Sequence, residues 1–138
     1  SNKSFEQKNP LSSKERKECI TKALKEFKID NYKIFYVPDI NNHSKYVDHV
    51  LKIVGKFSII ATGNPIVLKT FKDYNSKKPW NIESFQEQSG RPGGEITASE
   101  IRKKWLKRSS RKDLPSSIFN YLKSINFSNR LKETSNNH

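Results

Sequence analysis

Thr97, Ser99 and Arg102 place two hydroxyls and a guanidinium at the predicted start of one helix. Thr97 is a favourable N-cap, and Glu100 three residues later completes the pattern of a capping box. The first backbone N–H groups of a helix lack intrahelical acceptors and lie at the positive end of its dipole, so they can hold a phosphate. Arg102 can donate a planar pair of hydrogen bonds to phosphate oxygens. These residue types suit a polyphosphate in transfer, although the spacing alone favours an ordinary capped helix with a solvated arginine.

Two polar loops follow two short apolar runs, 34–37 and 57–61, that we predict to be buried strands. The first loop contains Asp39, and the second contains Gly63 and Asn64. Strands that alternate with helices over short connections form a parallel sheet with right-handed crossovers. Ligands bind such sheets beyond the carboxyl ends of the strands. Both loops are therefore candidate ligand-binding segments of an α/β fold.

Apolar periodicity and capping residues predict the helices. They are expected after the N-cap Ser12, over Val47 to Val54 with Gly55 at the end, from Pro65 onward, over 98–107 and over 116–125. A short edge strand is predicted at Trp80 to Ile82, and residues 128–138 are expected to fray. The loop 89–94 is too rich in glycine for regular structure.

Composition restricts the class of protein. The chain has 138 residues, of which 33% are apolar, 30% charged and 11% aromatic, which suits one folded domain rather than a disordered chain. The formal net charge of +13 favours anionic partners such as nucleotides, nucleic acid or acidic membrane. No apolar run approaches the ~18 residues of a membrane span, so no membrane partner is expected.

The single cysteine, Cys19, excludes a disulfide within the chain and predicts a reducing, cytoplasmic setting. We interpret it as a packing residue on its helix rather than a nucleophile. The sequence contains no methionine and begins with Ser1, so either an initiator methionine was removed or the chain is a piece of something longer.

Five short motifs occur in the order and spacing of one enzyme family. They are Asn9-Pro10-Leu11-Ser12-x-x-Glu15-Arg16, Val37-Pro38-Asp39-Ile40-Asn41, Gly63-Asn64-Pro65-x-Val67, Thr97-Ala98-Ser99-Glu100-Ile101-Arg102 and Leu114-Pro115. Over roughly residues 4–127 the sequence resembles the archaeal-type nicotinamide-nucleotide adenylyltransferases. Each motif alone is weak, but five in order on a strand–helix pattern are specific.

The resemblance implies a doubly wound parallel sheet of the Rossmann-like nucleotidyltransferase type. It implies that the phosphate of nicotinamide mononucleotide (NMN) attacks the α-phosphate of ATP, with Mg²⁺, to give NAD and pyrophosphate. By the resemblance, Thr97, Ser99 and Arg102 bind the ATP phosphates, Arg102 is catalytic, and no residue is assigned as a metal ligand.

The resemblance also implies the residues that bind the nicotinamide nucleotide. They are Asp39, Tyr46, Gly63 and Asn64. Tyr46 replaces the family's tryptophan, and its flat ring can still stack on nicotinamide. Ordinary packing of Tyr46 is the alternative.

Three departures from the family pattern stand out. Ser4-Phe5 replaces a Ser-His pair, and the loop 90–94 looks longer than usual. The family's His-x-Gly-His signature is missing, since His43, His49 and His138 lack that spacing. We therefore interpret residues 1–127 as the C-terminal portion of a nucleotidyltransferase-like domain whose βαβ opening is missing, followed by a tail, 128–138. We expect this chain alone to make no NAD.

Two alternatives stay open. One is a related nucleotidyltransferase with a different acceptor. The other is a basic nucleic-acid-binding module, suggested by the cations between Arg102 and Lys112. Aromatics are not interleaved with these cations and no named nucleic-acid motif occurs, so nucleic acid is the less expected partner. The sequence leaves open whether the protein is a homo-oligomer.

Overall fold

A computed structural model describes residues 9–78, 82–86, 97–109 and 111–136. The helices are α1 (Ser13–Glu26), α2 (His43–Val54), α3 (Pro65–Asn75), α4 (Ala98–Leu106), α5 (Ser116–Ser124) and α6 (Phe127–Asn136). The strands are β1 (Ile59–Thr62) and β2 (Glu83–Gln86), and Arg111–Asp113 forms a 3₁₀ turn. The chain divides into two compact units, Ser1–Tyr36 with Ile96–His138, and Val37–Glu95.

The first unit is helical and packs around Trp105. Its indole lies 5.1 Å from the ring of Phe119 and 5.5 Å from that of Phe127, measured between centroids. The indole Nε1 donates to Ser128 Oγ at 3.0 Å, so the polar edge of this buried side chain is satisfied. Cys19, Leu122 and Leu131 complete the buried cluster. This core holds α1, α4, α5 and α6 in one body.

The second unit is a β–α–β arrangement with α2 packed on α3. Strand β1 pairs with β2 in parallel, in a register from Ile59 opposite Glu83 to Thr62 opposite Gln86. Val47, Phe71 and Ile82 form its buried core. The Asn75 amide bonds both the N–H and the C=O of Ile82, at 2.9 and 2.6 Å, and so fixes the approach to β2. The described strands therefore confirm an α/β arrangement with a parallel pair.

The predicted strand at 34–37 is wrong. These residues form no regular element, and the side chains of Phe35 and Tyr36 are 42% and 49% exposed. A strand needs a neighbouring strand to complete its hydrogen bonds, and the sheet of the described residues consists of β1 and β2. The strand predicted at 57–61 lies at Ile59–Thr62, and Ile59 is 60% exposed rather than buried.

The predicted edge strand is displaced along the chain. Ile82 precedes β2 and is buried, whereas the strand itself is Glu83–Gln86. Trp80 lies outside the described residues, as do the loop 89–94, the Ser4-Phe5 pair and His138.

The helix predictions are confirmed to within a few residues, and their caps explain why. Ser12 and Glu15 form the predicted capping box, and Pro65 occupies the first turn of α3. Gly55 ends α2 with a φ of 89°, a conformation that favours glycine. The fraying expected over 128–138 is wrong for the described residues 128–136, because Phe127, Leu131 and Thr134 recur at helical spacing and bury one face of α6.

Candidate functional site

The start of α4 has the predicted cap. Thr97 Oγ1 accepts from the N–H of Glu100 at 3.2 Å, and Glu100 Oε2 accepts from the N–H of Thr97 at 3.0 Å. These bonds from the backbone and hydroxyl of Thr97 lower the pKa of Glu100. Helix geometry leaves the N–H groups of Ala98 and Ser99 without intrahelical acceptors. The capping box therefore fixes the helix start while two of its amides keep capacity for an anion.

Arg102 and Ser99 are brought together one turn along the same helix. Arg102 Nη2 donates to Ser99 Oγ at 3.1 Å, and the arginine is half-buried. Ser99 Oγ serves as acceptor in this bond, so its own hydroxyl proton is available to another acceptor. Ser99 and Arg102 are thus in contact, and Thr97 caps the helix turn on which Ser99 lies; we call these three residues the polar cluster. Their binding of ATP phosphates stays a prediction.

A cavity of about 330 Å³ lies in the same unit and contains residues of three motifs. Pro10, Leu11 and Arg16 come from the first motif, Ile101 and Arg102 from the fourth, and Leu114 from the last. The volume is at the lower end of the range for small-molecule sites. Motifs far apart in sequence therefore converge on one largely apolar cavity beside Arg102.

Arg16 is a residue that sequence reasoning did not assign to a site. Its Nη1 donates to the backbone carbonyl of Leu11 at 2.6 Å, which ties the side chain to the segment that precedes α1. Its position in the first motif was the available signal, but the motif alone does not show that the side chain lines a cavity. Arg16 and Arg102 are the cations of the cavity lining.

Cys19 lines the cavity as a packing residue. It is 9% exposed, and burial raises the pKa of its thiol to about 11. A thiol with so high a pKa is protonated at neutral pH and is a poor nucleophile. The interpretation of Cys19 as a core residue is confirmed.

Gly63 and Asn64 lie immediately after β1, at the carboxyl end of that strand. Asn64 caps α3, since its Oδ1 accepts from the N–H of Ile66 at 3.0 Å, and its own N–H donates to Thr62 Oγ1 at 3.1 Å. A Cβ built on Gly63 would meet nothing within 4 Å, so neither crowding nor φ requires glycine there. The loop is ordered by these two bonds and leaves open space beside it.

Tyr46 and Asp39 belong to the same unit as this loop. Asp39 is exposed. Tyr46 is half-buried and meets Phe71 edge to face, with ring centroids 6.5 Å apart. The His49 ring bonds the carbonyl of Pro38 at 3.0 Å, which anchors the Asp39 loop to α2. Tyr46 therefore has the packing role that was its alternative, and stacking on nicotinamide stays a prediction.

The described parts of the chain contain no group of three His, Cys, Asp or Glu placed to hold a metal ion. Within the same residues, no helix is both long and apolar enough to cross a membrane.

Comparison with known proteins identifies relatives, although no protein-family model matches the chain. A nicotinamide-nucleotide adenylyltransferase from Thermococcus sibiricus is 34% identical over 131 residues, which is 91% of this chain and 65% of that protein. The enzymes of the same name from Pyrococcus horikoshii and Pyrococcus furiosus are 31% and 30% identical, covering 94% of this chain and 67% and 68% of those proteins.

The chain spans about two thirds of the length of these relatives. The match extends across nearly all of the chain and so includes residues of both compact units. The predicted family is thereby confirmed: the chain belongs to the nicotinamide-nucleotide adenylyltransferases.

Proposed function

We propose that this protein transfers the adenylyl group of ATP to NMN, giving NAD and pyrophosphate. The observation that carries the proposal is the polar cluster at the start of α4, where Arg102 is already held by Ser99 at 3.1 Å. Family membership supports the choice of reaction, and the convergence of three motifs on the cavity beside Arg102 supports the choice of site.

In the proposed reaction an oxygen of the NMN phosphate forms a bond to the α-phosphorus of ATP, and the bond from that phosphorus to the pyrophosphate oxygen breaks. Negative charge increases on the departing pyrophosphate. Arg102 donates its planar fork to these phosphate oxygens, and its guanidinium stays charged throughout. Because Ser99 orients the guanidinium before substrate arrives, little reorganisation is needed during the reaction.

Ser99 completes the phosphate site, and Thr97, whose hydroxyl is engaged with Glu100, holds the helix start. The Ser99 hydroxyl donates outward while its oxygen accepts from Arg102, and the amides of Ala98 and Ser99 add donors at the positive end of the helix dipole. Glu100 is the one acidic side chain of this turn, and it is engaged with Thr97 through the capping box. The carboxylate therefore serves to hold the turn.

The nicotinamide nucleotide is proposed to bind beside Asp39, Tyr46, Gly63 and Asn64. The open space at Gly63 supports this placement. Tyr46 is half-buried and meets Phe71 edge to face, so part of its surface remains accessible. The doubly wound sheet of the family and a cytoplasmic setting are parts of the same proposal. Magnesium is typically held through substrate phosphates with few protein carboxylates, and no step proposed for these residues depends on it.

The test is a steady-state assay of NAD formation by the full-length protein and its Arg102 variants. We expect Arg102→Ala to lower kcat on the order of 10²–10³-fold, the usual effect of removing one donor to a developing anion. Arg102→Lys should recover part of the loss, because lysine keeps the charge without the fork. The KM for NMN should change little.

Lys14→Ala is the matched control, since it removes one exposed cation from the same unit. It should leave kcat unchanged. Wild-type turnover in Arg102→Ala would show that the phosphates bind elsewhere, and a full-length wild-type protein that forms no NAD from ATP and NMN would overturn the proposed reaction.

A further inference from the structure

Six cations lie within ten residues at the end of α4 and in the turn that follows it. We call this set the basic surface; it consists of Lys103, Lys104, Lys107, Arg108, Arg111 and Lys112. All six side chains are exposed. Arg102 is not part of the set, because it is half-buried and belongs to the proposed phosphate site.

Two carboxylates compensate part of the basic surface: Asp113, and Glu100, which lies one helical turn before Lys103 and Lys104. Across the described ranges, the ion pair from Lys104 to Asp113, at 3.0 Å, is the one formed by any of its six members. Lys103 and Lys107 are four residues apart on one face of the helix, a spacing at which like charges repel by a few tenths of a kcal/mol. Helix α1, in contrast, alternates its lysines with Glu15, Glu18 and Glu26. The cations from Lys103 to Lys112 are therefore less interrupted by acidic residues than those of α1.

The helix dipole explains the position of only some of these cations. Cations near a helix C-terminus are stabilised by the dipole, which accounts for Lys103, Lys104 and Lys107. The effect fades beyond the last turn, so it does not account for Arg111 and Lys112 in the 3₁₀ turn. A partner with its own array of negative charges would account for all six.

Aromatic side chains near the basic surface are already engaged. Trp105 is 6% exposed, and the Arg111 guanidinium lies 5.8 Å from the ring centre of Phe119. Neither ring can stack on a base. This argues against binding of single-stranded nucleic acid, which typically uses stacking of bases on aromatic side chains. Contact with the phosphates of a duplex needs no aromatic side chain, because exposed lysines and arginines supply it.

We propose that the basic surface binds the phosphate backbone of double-stranded nucleic acid without reading its sequence. An anionic membrane fits less well, because binding at a bilayer surface also uses a large apolar face. Leu106, 46% exposed, is the one exposed large apolar side chain of α4. Lys103 also lines a cavity with Ser99 and Arg102. The proposal rests on the exposure and charge of all six side chains, however, and does not depend on the proposed reaction.

The test measures binding of a fluorescent mixed-sequence DNA duplex to the full-length protein over a series of salt concentrations. The variant changes Lys103, Lys107 and Lys112 to glutamine, which keeps helix propensity and spares the Lys104–Asp113 pair. Each lost phosphate contact should flatten the slope of log K against log salt by about one, so the triple variant should lose about three.

The control variant changes Lys14, Lys25 and Lys28 to glutamine, which removes the same charge from α1 and the turn that follows it. The control variant should keep the wild-type slope of log K against log salt. An equal loss of slope in both variants would mean that the duplex is attracted by net charge alone and would overturn the proposal. So would tighter binding to vesicles of phosphatidylserine and phosphatidylcholine than to the duplex at the same salt.

A second measurement uses the unaltered protein and so does not depend on how the variants fold. Saturating duplex should slow acetylation of Lys103, Lys107 and Lys112 and leave that of Lys14 and Lys25 unchanged, read by peptide mass spectrometry. Uniform protection, or none, would contradict the assignment of the surface.

Discussion

At the scale of single residues, Arg130 makes contacts that the sequence did not predict. Its Nη1 donates to Glu15 Oε1 and Oε2 at 3.1 and 3.0 Å and to the carbonyl of Pro10 at 3.3 Å. Glu15 Oε2 also accepts from the N–H of Ser12 at 2.7 Å. The local pattern predicted Glu15 as a capping partner, but a bond across more than a hundred residues leaves no local signal. Arg130 therefore joins α6 to the first motif.

The pKa of Glu15 records these contacts. Burial raises the pKa, but the hydrogen bonds from Arg130 and Ser12 outweigh burial and hold it below its ordinary value of 4.5. A carboxyl whose pKa is lower in the folded than in the unfolded state stabilises the fold above the unfolded pKa. That contribution is lost as pH falls through the folded pKa.

We predict that Arg130→Gln lowers the free energy of unfolding by about 1–3 kcal/mol at neutral pH, the usual range for a hydrogen bond to a charged group. Lys132→Gln, an exposed change on the same helix, should have almost no effect. As pH falls through the lowered folded pKa of Glu15, the difference between Arg130→Gln and wild type should shrink, because Glu15 becomes protonated in both. Urea unfolding over an acid pH series measures this, and a pH-independent difference would contradict it.

At the scale of elements, three helices end in the same way without glycine. Lys28, Arg108 and Asn126 follow α1, α4 and α5 with φ values of 57°, 57° and 53°. After α4, Ser109 N–H donates to Lys104 C=O at 2.9 Å and Arg108 N–H to Trp105 C=O at 3.0 Å, the two bonds of a Schellman motif. In a sequence this motif is usually recognised by a glycine directly after the C-cap residue. These helix ends were therefore predicted from apolar periodicity alone.

Replacing Arg108 by glycine should raise the free energy of unfolding by about 0.5–1 kcal/mol. The left-handed conformation costs a side-chain-bearing residue ~1–2 kcal/mol, and the extra entropy of glycine in the unfolded state offsets part of that gain. Lys103→Gly, in the interior of the same helix, should instead cost about 1 kcal/mol. Thermal and urea unfolding of both variants give the sign of the change in the free energy of unfolding. A loss of stability in Arg108→Gly would contradict the strain argument.

The same contrast between local and distant interactions explains which elements could be predicted. Ser12, Pro65 and Thr97 cap helices whose hydrogen bonds are all local, so sequence pattern sufficed for α1, α3 and α4. The apolar run 34–37 has strand composition, but a strand also needs a neighbouring strand.

The start of α4 could be predicted as a candidate site, because its cap and its polar residues are local in sequence. The cavity beside it could not be predicted, because its walls come from four helices and the segment preceding α1.

At the scale of the whole molecule, charge is the dominant feature. The 27 lysines and arginines exceed the 14 acidic residues by 13, and the described residues form two ion pairs, Lys104–Asp113 and Arg130–Glu15. Most cations are therefore compensated by solvent and counterions rather than by carboxylates. Such an excess destabilises a compact state through self-repulsion.

Added salt should therefore stabilise this protein. The screening length falls from about 30 Å at 0.01 M to about 10 Å at 0.1 M, so repulsion between cations on different elements weakens over that range. We expect the free energy of unfolding to rise on the order of 1 kcal/mol, since exposed like charges interact weakly in water. The variant in which Lys103, Lys107 and Lys112 are changed to glutamine should have a higher free energy of unfolding at low salt. It should also gain less stability from added salt. Urea unfolding in a NaCl series tests both expectations, and a stability that falls with salt would mean that attractive pairs such as Arg130–Glu15 outweigh the repulsion.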